Sequence, residues 1–258
     1  MAEAVYNIHQ VEETTSTNEV CMLLGQDGEK EHYVLVAESQ TEGRGRLGRN
    51  WESEKGKGIY MSILERPNLS PDKSPMLSIV MGLAARTAIE ETTGMQCQLK
   101  WPNDLVFHGK KVSGILAQMK VKNADRVDFI VIGIGVNLFQ QAFDAELREK
   151  ATSLFLEGYC KAEEKELKAK LIQKLVTCWK KYYLEFLKTG DLSDFLNEYH
   201  RYLANKDQVV RVHDSQGEYT GIAEGINSVG ELLVRTENEI RYVNSGEVSV
   251  RGVYGYVG

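Results

Sequence analysis

The sequence predicts an α+β fold, in which a mixed β-sheet with flanking helices is followed by a small β-barrel. The length of 258 residues suits one large domain and one small domain. Over the first 205 residues, strand-like apolar runs are separated by tight turns and only occasional helical patterns. After them, short strand-like runs follow one another closely, as is typical of a small barrel. We therefore expect domains at 1–205 and 206–258.

The strands are predicted from apolar runs and alternation. In the first domain they are expected at 5–11, 33–37, 59–64, 97–101, 105–107, 112–119 and 129–136. The last of these, FIVIGIGV, is continuously apolar and is predicted to be a central strand. In the second domain, strands are expected at 209–212, 219–224, 232–236 and 240–243, with polar turns between them.

Helices are predicted where apolar residues recur at helical spacing. One is expected to begin at Pro75, with Ser74 as its N-cap, and to end at Gly94. A long helix at 162–187 has apolar residues on one face and charges on the other, and a short helix follows at 193–203. An earlier helix is expected to begin at Ser16 and to end near 25–28.

Composition excludes several classes of protein. The net charge of −6 argues against a general binder of nucleic acids or anionic membranes, which would have a basic surface. The four cysteines are widely spaced with no CxxC pair, which favours reduced thiols in a cytoplasmic protein over a zinc site or disulfides. The N-terminus lacks the basic start and apolar core of a signal peptide, and the apolar runs are too short to span a bilayer.

The most informative segment is a glycine- and arginine-rich loop after the strand at 33–37. Its sequence, GRGRLGR at 43–49, alternates arginines with glycines. Arginine offers a planar fork of donors that suits phosphate and carboxylate, and glycine lets the backbone approach a ligand closely. The loop is therefore predicted to close over a polyanion, although a flexible basic loop or a nucleic-acid contact stays open at this point.

Other polar clusters stand at predicted strand ends and turns. They are Ser16-Thr17-Asn18, the segments 40–49 and 100–104, Lys111 and Asn137. Ser16 and Glu19 have the spacing of a capping box, so the first cluster either caps a helix or binds a polar ligand. The five histidines show no metal-ligand spacing, and the sequence lacks nucleophile-elbow, Walker and Rossmann motifs. The chemistry is expected to rest on positive charges placed around an anion.

Four motifs in order resemble the biotin protein ligase family, also called biotin–[acetyl-CoA-carboxylase] ligase. They are ESQTEGRGRLGRNW at 38–51, KWPNDL at 100–105, KVSGIL at 111–116 and GIGVN at 133–137. The resemblance implies a class II synthetase-like catalytic domain and an SH3-like C-terminal domain. Leu47 departs from the pattern, because another arginine often stands there. The pattern begins within the first ten residues or so, so we expect the form without an N-terminal DNA-binding domain.

The family carries out a two-step reaction. ATP activates biotin to biotinyl-5′-AMP, and the adenylate is then transferred to one lysine of a biotin carboxyl carrier protein domain. The resemblance implies that Lys111 and Arg46 are catalytic. It implies that biotin binds to Ser16, Thr17, Asn18, Gln40, Arg44, Gly45, Arg46, Lys111 and Gly114. It implies that ATP or the adenylate binds to Arg44, Arg46, Arg49, Trp51, Asn103, Lys111 and Asn137. No metal ligand is assigned, although Mg²⁺ is expected to accompany ATP.

The expected partner is the carrier domain of a biotin-dependent carboxylase, with neither DNA nor a membrane as partner. A homodimer through an exposed sheet edge is possible. One alternative is a lipoate or octanoate ligase or transferase of the same fold, which would have an apolar tunnel in place of the polar set around Gln40. The other alternative is a non-enzymatic nucleic-acid-binding module.

Overall fold

The computed structural model describes residues 4–159, 163–214, 217–246, 249–252 and 256–257. Within these ranges the chain forms two β-sheets and four α-helices. The strands are β1 (Asn7–Thr14), β2 (Tyr33–Gln40), β3 (Gly58–Glu65), β4 (Gln98–Lys100), β5 (Asp104–Phe107), β6 (Lys110–Asn123), β7 (Arg126–Asn137), β8 (Gln208–Asp214), β9 (Gly217–Ile226), β10 (Leu232–Arg235), β11 (Ile240–Val243) and β12 (Ser249–Gly252). The helices are α1 (Thr17–Gln26), α2 (Met76–Thr93), α3 (Glu164–Thr189) and α4 (Leu196–Tyr202).

The first sheet has seven strands in the order β1-β2-β3-β7-β6-β5-β4. β1 and β2 are parallel, with α1 connecting them, and every other neighbouring pair is antiparallel. A parallel pair needs a crossover connection, whereas tight turns suffice for antiparallel pairs. The predicted mixed sheet with occasional helices is thereby confirmed.

Both faces of the sheet centre are covered, which explains its continuously apolar strands. On β7, Ile130, Ile132 and Ile134 join the main core, which includes buried residues of α2 and α3. Phe129 and Val131 point to the opposite face and pack with Cys21 of α1 in a smaller cluster. Successive residues of a strand alternate between faces, so a single run serves both layers.

The second sheet is antiparallel, with five strands in the order β11-β10-β9-β8-β12. The predicted C-terminal β-unit is therefore confirmed, and the predicted boundary between 205 and 206 falls between α4 and β8. The buried Trp101 contacts both units: its backbone N–H donates to Asn205 Oδ1 at 3.0 Å, and its indole Nε1 donates to the Gly230 carbonyl at 2.9 Å. Buried residues of β8, β9 and β10 join the main core.

The helix boundaries differ in detail from the predictions. α2 begins at Met76, one residue later than predicted, and Ser74 does not cap it, because its hydroxyl donates to the Pro71 carbonyl at 2.8 Å. α3 runs from Glu164 to Thr189, and the predicted first residue, Ala162, lies outside the described residues, as does Cys160. Among the described helices, none has the length and apolar content needed to cross a membrane.

Candidate active site

A polar cavity lies on the α1 face of the large sheet. Its lining includes eleven of the predicted site residues: Ser16, Thr17, Asn18, Gln40, Arg44, Gly45, Arg46, Trp51, Asn103, Lys111 and Gly114. Residues 115–116 and 133–135 of β6 and β7 complete it. Motifs that are far apart in the sequence therefore converge at one place in the fold.

Neutral hydrogen-bonding groups form one side of the cavity. The Gln40 side-chain oxygen accepts from the Thr17 backbone N–H at 2.8 Å and from the Thr17 hydroxyl at 3.1 Å. Asn18 donates to the Leu116 carbonyl at 3.1 Å and to Gln118 at 2.9 Å. The buried Ser62 hydroxyl lies 2.7 Å from Thr17 Oγ1 and 2.6 Å from Asn18 Oδ1. These side chains are therefore fixed in position, as a rigid polar pocket requires.

Ser62 was not predicted as part of this network. It is the only polar residue in the otherwise apolar run IYMSIL at 59–64, and it is fully buried. A polar residue in such a run is a usable signal, because a buried hydroxyl must find a partner.

The predicted capping box at the start of α1 is wrong. Ser16 occupies the N-cap position with an extended backbone, but its side chain makes no capping hydrogen bond. Glu19 forms an ion pair with Arg44 of the loop, so it does not reach back to the N-cap. The Ser16 side chain instead belongs to the cavity lining, which leaves the ligand-binding alternative for this cluster.

Glycines on β6 and β7 make room for the cavity. Gly114 and Gly135 face each other in the sheet, and the Trp51 indole covers both of them. A Cβ at Gly135 would lie 2.4 Å from Trp51 Nε1, and a Cβ at Gly133 would lie 1.9 Å from Asn18 Oδ1. Gly133 and Gly135 share the α1 face with Phe129 and Val131, because strand residues alternate. The indole Nε1 of Trp51 is buried without a hydrogen-bond partner among the described residues.

A buried charge cluster forms the other side of the cavity. Lys111 Nζ lies 2.6 Å from Asp104 Oδ1 and 5.2 Å from the Trp51 ring centroid. Lys100 also interacts electrostatically with Asp104, and its Nζ donates to the Val250 carbonyl at 3.1 Å. Burial lowers the pKa of Lys100 to about 8, and the Asp104 carboxylate opposes this effect. Burial would raise the pKa of Asp104, but Lys111 and Lys100 outweigh it and hold that pKa below its ordinary value.

Residues 43–51, here called the arginine loop, form a small hairpin beside this cluster. The Gly45 N–H donates to the Arg49 carbonyl at 2.7 Å, and the Trp51 N–H donates to the Gly43 carbonyl at 2.8 Å. Arg46 donates to Asn103 Oδ1 at 3.0 Å and to the backbone carbonyls of Ser245 and Gly246 in the C-terminal unit. The loop thus bridges the two units over the cavity.

Two predicted residues lie outside the cavity lining. Arg49 is not part of it. Asn137 is buried at the end of β7, and its side-chain amide donates to the Thr152 carbonyl at 3.0 Å. This contact gives the residue a structural role. Their nucleotide-binding roles stay predictions.

The cavity lining contains no aspartate or glutamate within the described part of the chain. Elsewhere among the described residues, one group of side chains has metal-ligand geometry: Glu31, His32 and Glu65. Glu65 is fully buried and accepts hydrogen bonds from Tyr6 at 2.7 Å and Trp179 at 2.9 Å. His32 Nδ1 lies 2.8 Å from Glu65, and this hydrogen bond raises the pKa of His32. His32 and Glu65 are therefore satisfied by these contacts.

Comparison with known proteins agrees with this geometry. Residues 10–137 match the biotin/lipoate A/B protein ligase family, and residues 207–251 match the biotin protein ligase C terminal domain. The bifunctional ligase/repressor BirA of Bacillus subtilis is 34% identical over 238 residues, which cover 92% of this chain and 71% of the relative. The chain belongs to the biotin protein ligase family.

Other biotin protein ligases match along nearly their whole length. The biotin–[acetyl-CoA-carboxylase] ligase of Paracoccus denitrificans is 28% identical, covering 93% of this chain and 98% of the relative. Among solved structures, the Aquifex aeolicus biotin protein ligase in complex with biotin and ATP has a sequence 32% identical to this chain and a TM-score of 0.77. The match covers 95% of this chain and 99% of that chain. The predicted enzyme class, an ATP-dependent biotin protein ligase, is thereby confirmed. The match to the biotin protein ligase C terminal domain favours biotin over the lipoate alternative.

Proposed function

We propose that this biotin protein ligase binds biotin against the neutral side of the cavity and ATP beside the arginine loop, and joins them at Lys111. The biotin carboxylate attacks the α-phosphorus of ATP, which forms biotinyl-5′-AMP and releases pyrophosphate. The amine of a carrier-domain lysine then attacks the mixed anhydride and displaces AMP.

The observation that carries this proposal is the division of one cavity into a neutral and a cationic side. Thr17, Asn18 and Gln40 present fixed neutral donors and acceptors, as the ureido ring of biotin requires. Lys111 lines the same cavity across the glycine pair Gly114 and Gly135. The neutral side of the cavity therefore suits the ring of biotin, and the cationic side suits the carboxylate at the other end of the same ligand.

Lys111 is the group that we assign to the reacting centre. Two anions must approach each other, and negative charge builds up on the phosphoryl oxygens in the transition state. A cation held in place before the reaction lowers that barrier without reorganisation. The backbone of Lys111 is held by hydrogen bonds to residues 150 and 152, and its ammonium group by Asp104.

We assign Arg44 and Arg46 to the phosphates of ATP and the adenylate. Both line the cavity, and both have polar partners, Glu19 for Arg44 and three oxygens for Arg46. An arriving phosphate accepts charge-assisted hydrogen bonds from the guanidinium N–H groups of both arginines. A closed loop also keeps water from the mixed anhydride.

Among the described residues, those around the cavity do not form a dedicated Mg²⁺ site. No carboxylate of the described residues lines the cavity, and Asp104 is already paired with Lys111. The Asn103 oxygen accepts from Arg46. We therefore propose that Mg²⁺ arrives as part of the MgATP substrate, held mainly by phosphate oxygens and water.

The macromolecular partner is the carrier domain of a biotin-dependent carboxylase, because the second step needs an acceptor lysine. We also propose a cytoplasmic enzyme, since the described cysteines Cys21, Cys97 and Cys178 are free thiols. The homodimer stays a prediction, with β1 and β4 as the edge strands of the large sheet.

The test is the substitution Lys111→Ala. Biotin-dependent exchange of pyrophosphate into ATP should fall by about 100-fold or more, because a preorganised charge is lost at the reacting centre. Biotin should still bind, with its Kd raised by less than about tenfold, because the neutral contacts remain. Isothermal titration with biotin measures the second quantity.

Lys110→Ala is the matched control, because Lys110 is the neighbouring lysine and its amine donates to the Arg148 carbonyl at 3.1 Å. It should leave both quantities unchanged. Pyrophosphate exchange that survives in Lys111→Ala would overturn the assignment of Lys111. Exchange with lipoate in place of biotin would favour the alternative activity.

A further inference from the structure

Tyr256, near the end of the chain, contacts the candidate active site. The Tyr256 hydroxyl donates to Asp104 Oδ2. The other oxygen of the same carboxylate, Asp104 Oδ1, lies 2.6 Å from Lys111 Nζ. Two consecutive contacts therefore connect the C-terminal segment to the lysine that we assign to the reaction.

Asp104 is buried, so the hydrogen bond from Tyr256 and the ion pair with Lys111 are needed to offset the cost of burying its charge. The Asp104 side chain is 8% exposed, and a buried carboxylate must be paired and hydrogen-bonded. Lys100 lies close by, with Nζ 4.3 Å from the centroid of the Tyr256 ring. The Tyr256 ring thus contacts one lysine while its hydroxyl fixes the carboxylate that holds the other lysine.

The Asp104 carboxylate lies near two lysine cations, and it can pair with either of them. Lys100 and Lys111 both act on Asp104 electrostatically, and both lower its pKa against the effect of burial. With Oδ2 bound to Tyr256, the carboxylate presents Oδ1 to Lys111. Without that bond, the carboxylate is free to rotate about its terminal torsion, which is broad and soft. The ammonium of Lys111 then loses a fixed partner.

We propose that Tyr256 is a positioning residue, which acts through Asp104 to hold Lys111 where biotin and ATP react. The proposal rests on the proposed function, since it takes Lys111 as the reacting cation. Tyr256 touches neither substrate in this account. It affects the rate of adenylate formation and leaves the neutral side of the cavity, where biotin binds, as it is.

The test is Tyr256→Phe, which removes the hydroxyl and keeps the ring beside Lys100. The kcat of biotin-dependent pyrophosphate exchange should fall by about tenfold to 100-fold, the range expected for losing a hydrogen bond to a charged group. The KM for biotin should change by less than about twofold, because Thr17, Asn18 and Gln40 are untouched. Partial unfolding would lower the apparent kcat and leave KM unchanged, so kcat is expressed per biotin-binding site, counted by isothermal titration.

Tyr182→Phe is the matched control. Tyr182 also donates to a carboxylate, Glu198 Oε1 at 2.6 Å, but it lies on α3 outside the cavity lining. This variant should leave kcat and KM unchanged, whatever it does to the melting temperature.

A double-mutant cycle with Asp104→Asn decides whether Tyr256 acts through Asp104. If it does, Tyr256→Phe has little further effect on kcat in the Asp104→Asn background. Equal effects in both backgrounds, or a kcat of Tyr256→Phe within about twofold of wild type, overturn the proposal. If Tyr256→Phe does not fold, Tyr256→His keeps a ring N–H donor. Its kcat should exceed that of Asp104→Asn, and an equal kcat contradicts the proposal.

These outcomes are distinct from a failure of the proposed function. If wild-type protein shows no biotin-dependent exchange, or if Lys111→Ala retains it, the role of Lys111 is wrong. If wild type and Lys111→Ala behave as expected and Tyr256→Phe matches wild type, only the role of Tyr256 is wrong.

Discussion

Glycines decide the shape of the cavity at the scale of single residues. In β7, every second residue from Phe129 faces α1, and the sequence places Gly133 and Gly135 in that series. Larger side chains there would fill the space now taken by Asn18 and the Trp51 indole. Position matters here more than conformational freedom, because the strand backbone is regular. The polar network and the cavity therefore depend on having glycine at positions 133 and 135.

Gly133→Ala tests this dependence. The added Cβ would lie 1.9 Å from Asn18 Oδ1, so the Asn18 side chain must move and lose its bonds to Leu116, Gln118 and Ser62. We expect the KM for biotin in pyrophosphate exchange to rise by about tenfold or more, as the loss of one or two hydrogen bonds implies.

Gly82→Ala is the control for Gly133→Ala, because its Cβ would meet the flexible end of Leu99 at 3.2 Å, among core residues of α2. Its KM for biotin should match wild type. An unchanged KM in Gly133→Ala would mean that Asn18 does not contribute to biotin binding.

The arginine loop is the element that connects the parts of the site. Its hairpin is held by its own backbone hydrogen bonds and is tied to Asn103 and the C-terminal unit through Arg46. Burial lowers the pKa of Arg46, which the negative charge of Asp104 opposes. Leu47, at the place where the family often has arginine, is 54% exposed and adopts a left-handed backbone with φ of 55°. Because the Leu47 side chain is exposed, leucine in place of arginine at this position does not disturb the contacts of Arg46.

Arg46→Gly is expected to loosen the loop and release the adenylate. The substitution removes the contacts with Asn103, Ser245 and Gly246, so the loop loses its connection to the C-terminal unit. Released biotinyl-5′-AMP acylates any nearby amine, so bystander proteins should be biotinylated along with the carrier. Streptavidin blots of a reaction with carrier domain and added albumin measure this labelling.

Leu47→Gly adds a glycine to the same loop while keeping Arg46, so it is the control for flexibility alone. It should label the carrier and leave albumin unlabelled. Labelling by Arg46→Gly that stays confined to the carrier would show that the loop does not retain the adenylate.

At the scale of the whole molecule, the two units share one core and one set of polar contacts. Trp101 donates to Gly230, Lys100 donates to the Val250 carbonyl and Tyr256 donates to Asp104. Buried residues of both units belong to the same hydrophobic cluster. The C-terminal unit is thus attached at the motif KWPNDL, next to the reacting centre, so its attachment bears on catalysis as well as on stability.

Trp101→Phe should weaken this attachment. Losing the indole N–H leaves the buried Gly230 carbonyl without that donor, which costs about 1–3 kcal/mol of unfolding free energy. We expect calorimetry to show a broadened or split transition, because the units become less strongly coupled.

Trp179→Phe is the matched control, since its indole donates to Glu65 at 2.9 Å within the first unit. It should lower the melting temperature and keep a single transition. The same transition shape for both variants would argue against Trp101 as the link between the units.

The sequence by itself determined the fold class, the main strands and helices, and eleven of the residues that line the cavity. The elements could be predicted because strand and helix periodicity is local. The site residues followed from the resemblance of four motifs to the biotin protein ligase family. Tertiary structure alone decided that Ser16 lines a cavity without capping α1, that Ser62 anchors Thr17 and Asn18, and that Asn137 supports the chain at Thr152. It alone brought Tyr256 to Asp104, 152 positions away. Such pairings depend on how strands and units pack, and packing distances are not encoded by spacing along the chain.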